Sequence, residues 1–236
     1  MPAVTDPAAI TLRPTAPLAE RVLLPGDPHR ALAVAQALLD EPRMFNHTRG
    51  LWGYTGRARD GELLTVQASG IGGPSAAIVI EELADLGART IVRIGTCGAL
   101  REGFELGELV VGSGVIPADG TSVALGADGR LACEAGPTAA LVASGLRPVT
   151  VVTTDLFYDP RAHVPGEWLD AGADVVEMEA ATLLALARRR GIAAAVVLAV
   201  TDLLATGARE RIDAERLGPL GVALGEAGWA AFAPGA

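Results

Sequence analysis

Short β-branched runs alternate along the chain with alanine-rich segments whose apolar positions recur every three or four residues. The first pattern predicts strands and the second helices. RVLLPGD, from Arg21, predicts a strand ending in a turn, where Asp27 can cap a helix with Pro28 at its first position and RALAVAQALL continuing it. LWGYTGRARDGELLTVQASG predicts a hairpin turning near Asp60-Gly61. A helix over PSAAIVIEELADLG follows, then TIVRIGTCGAL, an apolar strand running into a glycine-rich loop. GELVVGSGVI and RPVTVVTTD predict further strands, DVVEME a strand that turns into a helix, and AAVVLAVTD another strand; a helix from about Ile212 closes the chain. ALGADGRLACEAGPT reads as a surface excursion.

Strands alternating with helices imply a mostly parallel or mixed sheet covered by helices on both faces, and ligands in such sheets bind beyond the carboxyl ends of the strands. No repeat or linker divides the chain, so residues 1–20 are expected as an N-terminal segment and 21–236 as one domain. Half of the 236 residues are hydrophobic and only 4% aromatic, which supports a large, tightly packed core and excludes disorder. A net charge of −9 offers no basic footprint for nucleic acid or an anionic membrane, so any anion site must be a local arginine cluster. Cys97 and Cys133 suggest no disulfide framework and neither has a metal-ligand spacing. Residues 1–20 hold no sustained apolar region, and GIAAAVVLAV, the longest apolar run, is about half a membrane span. A soluble, cytoplasmic protein is expected.

Polar residues gather where these strands end. PGDPHR supplies Gly26, Asp27 and Arg30; a later strand carries Arg93 and runs into Thr96; Asp202 closes VVLAVTD. Glu177 and Glu179 stand either side of Met178 where an apolar strand turns into a helix. Unpaired carboxylates are rarely buried, so this pair either caps the helix or meets something polar that binds there. Arg93, inside an apolar strand, needs an anionic partner, either an internal carboxylate or a ligand phosphate. Singly, each has a structural explanation: GDP is a common turn and cap, and GTCG lacks the spacing and lysine of a P-loop.

In combination, LPGDPHRA, NHTRGLWGYTG, RIGTCGAL, DLFY, VVEMEAA and VTD occur in the order and approximate spacing of the nucleoside phosphorylase family. That family holds hexameric purine nucleoside phosphorylases, uridine phosphorylases and related nucleosidases, and the chain resembles it over about residues 20–235. The resemblance implies a single-domain, three-layer α/β fold with a mixed, distorted barrel-like sheet flanked by helices. It implies cleavage of a purine ribonucleoside by inorganic phosphate, with no metal or organic cofactor. The phosphate site it implies is Gly26, Arg30, Arg93 and Thr96, with Arg49 supplied by the neighbouring subunit of a hexamer built as three dimers. The sugar would lie against Val176, Glu177, Met178 and Glu179, with Glu179 accepting from the ribose 2′- and 3′-hydroxyls and Glu177 buttressing the site or reaching the base. Phe157 would pack on the base, Asp202 would protonate purine N7, and Arg216, fourteen positions further on, would assist it.

Two features depart from the family pattern: the segment from Ser122 to Thr150 is compact, which bears on pocket closure, and an N-terminal histidine is missing. No histidine precedes His29, so a common N-terminal contact to the ribose 5′-hydroxyl is absent or supplied differently. FYDPRAHVPG holds Arg161 and His163 but not the glutamine by which uridine phosphorylases usually read uracil. That and Asp202 favour purines over the uridine alternative, while IGT is closer to the uridine enzymes. A hydrolytic nucleosidase would not need Arg30, Arg49 and Arg93 together, and a non-catalytic binding module would not need an acid.

Overall fold

The run AAAVVLAVTDL forms the longest strand, and its alternate side chains enter two different cores: Ala194, Val196, Leu198 and Val200 one, Ala195, Val197 and Ala199 the other. A strand apolar at every position is thus buried on both faces, as the unbroken run requires. The computed structural model describes residues 9–205 and 209–232. Residues 1–8 of the expected N-terminal segment, and 206–208 and 233–236 of the expected domain, lie outside them.

In chain order the elements are β1 (Arg21–Leu24), α1 (Pro28–Leu38), β2 (Asp40–Asn46), β3 (Gly53–Arg57), β4 (Leu63–Gln67), α2 (Gly73–Asp85), β5 (Thr90–Ala99), β6 (Leu109–Ala118), α3 (Gly120–Ala124), β7 (Leu131–Ala132), α4 (Ala135–Ala143), β8 (Arg147–Thr154), α5 (Val164–Asp170), β9 (Val175–Glu177), α6 (Ala180–Arg190), β10 (Ala193–Leu203), β11 (Glu210–Arg211) and α7 (Ala214–Trp229). The strands form one mixed sheet. Within it β10, β6, β8, β9 and β5 follow one another and β5 pairs back onto β10, which closes a five-stranded barrel. From β5 the sheet continues through β1, β4 and β3 to β2 as an open flank. Helices α2 and α6 cover one core, and α1 and α7 pack on the other. The expected three-layer α/β fold with a mixed, barrel-like sheet is the one observed.

The branching of β5 positions the site. Its first residues pair in parallel with β1, ending at Leu24 opposite Arg93, and its last pair antiparallel with β9, beginning at Gly98 opposite Val176. Between Arg93 and Gly98 this edge of β5 is released from both neighbours, at the point where β1 parts from β9, the kind of switch point beside which such sheets bind ligands. Three small residues let α7 approach closely: a Cβ on Gly221 would stand 3.2 Å from Arg30, and one on Gly225 or Gly228 would meet Val34 or Ile94 at 2.6 Å. Residues 10–12 are tied down, since the amides of Ile10, Thr11 and Leu12 donate to the Glu82 carboxylate of α2.

Two expectations change, and one strand was not expected. GTCG is strand, not loop, because β5 continues to Ala99 along β10. The expected surface excursion contains β7 and the start of α4. Strand β2 was not legible, because as a sheet edge it exposes its first five residues and shows no alternation. Among the described residues, no helix is long and apolar enough to cross a membrane.

Candidate active site

Arg93 stands where β1 and β9 part, and its anionic partners are internal. Its Nε donates to Glu177 Oε2 at 2.8 Å, and its Nη2 pairs with Glu179 Oε2. All three side chains are at most 6% exposed. Burial works against the Arg93 charge, but Glu179 and Glu177 more than offset it and hold its pKa above the ordinary value. The guanidinium folds back along β5 over Gly95, where a Cβ would meet Arg93 Nη2 at 2.7 Å. Positions i and i+2 share a strand face, so an arginine lying flat there requires glycine two residues on. This is the local reason for the R-x-G spacing.

The two glutamates do different work. Glu177 accepts from the amides of Glu179 at 2.9 Å and Ala180 at 3.0 Å, and from Thr153 Oγ1 at 2.6 Å. It therefore caps α6 from two residues before the usual position, where helix amides are otherwise unpaired. Glu179 occupies the N-cap position but does not cap. It turns instead toward the loop before α2, where it accepts from the Gly72 amide and meets Arg93. Burial raises the pKa of its carboxyl; Arg93 opposes this and Glu177 adds to it. Val176 and Met178 flank Glu177, both partly exposed.

Arg30 approaches the same cluster from α1, held beneath Gly221 of α7 and donating to the Ile94 carbonyl at 3.4 Å. Burial lowers its pKa, Asp27 opposes that, and the neighbouring charge of Arg93 lowers it further. Asp27 accepts from the His29 amide at 2.8 Å and caps α1, with Pro28 at its first position. The turn before it is bound to a second glycine loop: Ser69 N donates to Pro25 O at 2.8 Å and Gly70 N to Gly26 O at 3.1 Å. A Cβ on Gly26 would come within 3.1 Å of Gly70 O. This second loop, SGIGG before α2, is the part that sequence reasoning missed. Gly70 and Gly72 have φ of 75° and 84°, and that geometry aims the Gly72 amide at Glu179. The signal was glycine at these positions followed by Pro74 in the first turn of a helix. Arg93 Nη1 is buried and has no hydrogen-bond partner among the described residues.

Asp202 comes from β10. Val200 pairs with Cys97 and Asp202 with Gly98, so Thr201 is an extra residue that breaks the alternation of the strand. The Asp202 side chain is 9% exposed; Thr201 Oγ1 donates to Oδ2 at 2.9 Å and Arg209 Nε to Oδ1 at 2.7 Å. Arg211, opposite it on β11, stands 3.8 Å away. Cys97 lies between the two carboxylate regions: burial pushes its thiol up, Glu177 and Asp202 add to this, and Arg93 opposes it.

The remaining expected residues are spread more widely. Phe157 is 49% exposed, and the Arg209 guanidinium lies 4.7 Å from its ring centroid. Thr96 is partly exposed, three residues beyond Arg93, and among the described residues its hydroxyl makes no hydrogen bond to the cluster. Arg216 does not reach Asp202. Its Nη2 donates to the Leu106 carbonyl at 3.0 Å beside an open cleft lined by Gly103, Glu105, Gly107 and Glu108. Arg209 and Arg211 stand at the aspartate instead, because β11 folds back along the end of β10 and brings them there. Arg49 is exposed on a turn in the left-handed region, at φ 59°.

Comparisons with known proteins identify the family. The family profile described as Phosphorylase superfamily matches residues 20–218. The DeoD-type purine nucleoside phosphorylase of Alkaliphilus metalliredigens is 35% identical over 199 residues, 80% of this chain and 85% of that protein. The guanosine phosphorylase of Halorubrum lacusprofundi is 34% identical over 216 residues, 83% of each chain. Among solved structures, the uridine phosphorylase of Vibrio fischeri shares the fold, with a TM-score of 0.77, 24% identity, and coverage of 91% of this chain and 90% of its own. The matched span runs from just before β1 into α7 and includes every site residue named above, and the chain is a member of the phosphorylase superfamily, an enzyme of the nucleoside phosphorylase family.

Proposed function

We propose that the protein cleaves purine ribonucleosides with inorganic phosphate, giving the free base and ribose 1-phosphate. The observation that carries this reading is the buried Arg93 guanidinium, with Nη1 unpartnered among the described residues, near Arg30 and the glycine loops at Gly26 and Gly72. Guanidinium forks match phosphate oxygens, and backbone amides can complete such a shell. Glu179, adjoining this cation, would accept from the ribose diol, with Val176 and Met178 against the sugar and Glu177 holding the corner rigid. Thr96, and Arg49 from a neighbouring subunit, would complete the phosphate shell.

The reaction breaks C1′–N9, its electron pair leaving with the purine, and forms a bond from a phosphate oxygen to C1′. Positive charge develops on the sugar and negative charge on the base. Phosphate held by Arg30 and Arg93 would stabilise the first, and a proton delivered by Asp202 to N7 would neutralise the second. Phe157 would pack on the base. Arg216 could assist Asp202 only after leaving Leu106. Phosphate is a co-substrate, and no metal or organic cofactor enters the scheme. The names of the sequence relatives support purine over uridine, as does the absence of a glutamine from the segment after Phe157. A cytoplasmic hexamer, arranged as three dimers, goes with this reading.

Base release from inosine, adenosine, guanosine and uridine, each with and without phosphate, tests it. Phosphate-dependent release from the purine nucleosides is expected, and Arg93→Ala should raise the phosphate KM far more than the nucleoside KM. Equal rates without phosphate would make the enzyme a hydrolase, and preferential cleavage of uridine would overturn the purine assignment.

A further inference from the structure

Arg209 belongs to none of the motifs that carry the family resemblance, yet it joins the two residues assigned to the base. Its Nε donates to Asp202 Oδ1 at 2.7 Å, and its guanidinium carbon lies 4.7 Å from the Phe157 ring centroid. Asp202 is almost fully buried, whereas the Arg209 side chain is 39% and Phe157 49% exposed. The guanidinium thus spans from the depth of the base region to its open side. A planar group that lies against an aromatic ring and donates an N–H to a carboxylate makes the same two contacts as a purine protonated at N7.

We propose that Arg209 is a positioning residue whose guanidinium acts as a surrogate for the purine, aligning Phe157 with Asp202 and giving way when the base enters. The inference rests on the assignment of Phe157 and Asp202 to the base. Both Asp202 oxygens accept hydrogen bonds in the observed arrangement, from Thr201 and Arg209. The oxygen that would face N7 is released only when Arg209 withdraws. Arg211, 3.8 Å from the same oxygen, keeps a cation beside the aspartate after that withdrawal. The return of Arg209 to both partners then favours departure of the free base. Substrate affinity is reduced by this internal competitor, as binding to a fractionally populated competent state always is.

Calorimetric titration with hypoxanthine and inosine kinetics on wild type, Arg209→Ala and Arg209→Lys provide the test. Arg209→Ala should bind hypoxanthine about three- to tenfold more tightly, the effect of removing one exposed cation–π contact and one partly exposed ion pair. Its inosine KM should fall with the Kd while kcat does not rise, a split that a merely structural residue would not produce. Arg209→Lys keeps the charge but has no planar face, and its affinity should lie between the two. Phosphate affinity should be unchanged in both variants, because Arg209 contacts none of the Arg30, Arg93 and Glu179 cluster. Weaker hypoxanthine binding, or unchanged binding in both folded variants, overturns the proposal. If instead Asp202→Asn and Phe157→Ala leave hypoxanthine binding and turnover intact, the base assignment itself fails, and the role of Arg209 fails with it.

Discussion

On the proposed reading, Glu179 serves the site at the expense of the fold. Burial raises the pKa of its carboxyl, with Arg93 opposing and Glu177 adding. A carboxyl whose folded pKa lies above the unfolded value of about 4.3 binds its proton more tightly in the folded protein. Its stabilising contribution is therefore fully present below the unfolded value and is lost as pH rises through the raised folded value. Glu179→Gln removes that titration while keeping the shape, so its Tm should equal or exceed that of wild type at about pH 8 and lose any advantage by about pH 4. Thermal unfolding of both proteins across that range checks the sign. A variant less stable only at the alkaline end would show that the Arg93 pair outweighs desolvation. In the same variant, ribonucleosides should weaken much more than 2′-deoxyribonucleosides, because the lost acceptor matters only where the hydroxyl exists. The sequence showed that Arg93 needs an anion and that two glutamates adjoin a strand end. It could not show that Glu177 caps α6 while Glu179 turns to Gly72, because that division depends on a loop more than a hundred residues away. Arg209 was invisible for a similar reason, since it reaches Asp202 only when β11 folds back on β10.

Glycine carries the corresponding argument at the level of the strand. In β5, Arg93 and Gly95 form one unit, because the guanidinium lies where the side chain of residue 95 would be. Gly95→Ala would place a Cβ 2.7 Å from Nη2, and the group that must move is pinned by two carboxylates. Overpacking of this kind typically costs about 1–3 kcal/mol. The larger effect should be on function: a phosphate KM raised about tenfold or more with a smaller change in nucleoside KM, since a shifted Arg93 loses a charge-assisted contact worth about 1.5–3 kcal/mol. Kinetics with each substrate varied in turn measure the split, and equal changes in both KM values would place Gly95 outside the phosphate site. Elements with a strong period were legible from sequence: α1 with its cap at Asp27, the β3–β4 hairpin, and β5, β8 and β10. The closure of the barrel was not, because the pairing of β5 with β10 joins segments about a hundred residues apart through backbone groups that carry no sequence signal. The edge strand β2 and the short α5 escaped because neither buries enough of one face to impose a pattern.

At the scale of the whole molecule, the question is whether one chain holds a complete site. Arg30 and Arg93 gather where β1 and β9 part, whereas Arg49 sits exposed on a left-handed turn, where it could serve an adjacent subunit. Exposed apolar side chains such as Ile71, 78% accessible beside Gly72, and Ile78 on α2 at 50% are consistent with a covering partner. A symmetric dimer in which each subunit lends Arg49 to the other makes a quantitative prediction. Arg49→Ala and Arg93→Ala subunits are each expected to be weak alone at low phosphate. In a hybrid dimer, one site has its own Arg93 and the partner's Arg49 and is intact, while the other lacks both arginines. Random reassembly of an equal mixture makes half of the dimers hybrid with one good site each, so activity should recover to about a quarter of the wild-type level. Light scattering on the same samples should show that neither substitution alters the oligomer. If reassembly gives only the mean of the two parent activities, Arg49 acts within its own subunit or not at all, and the shared site is excluded.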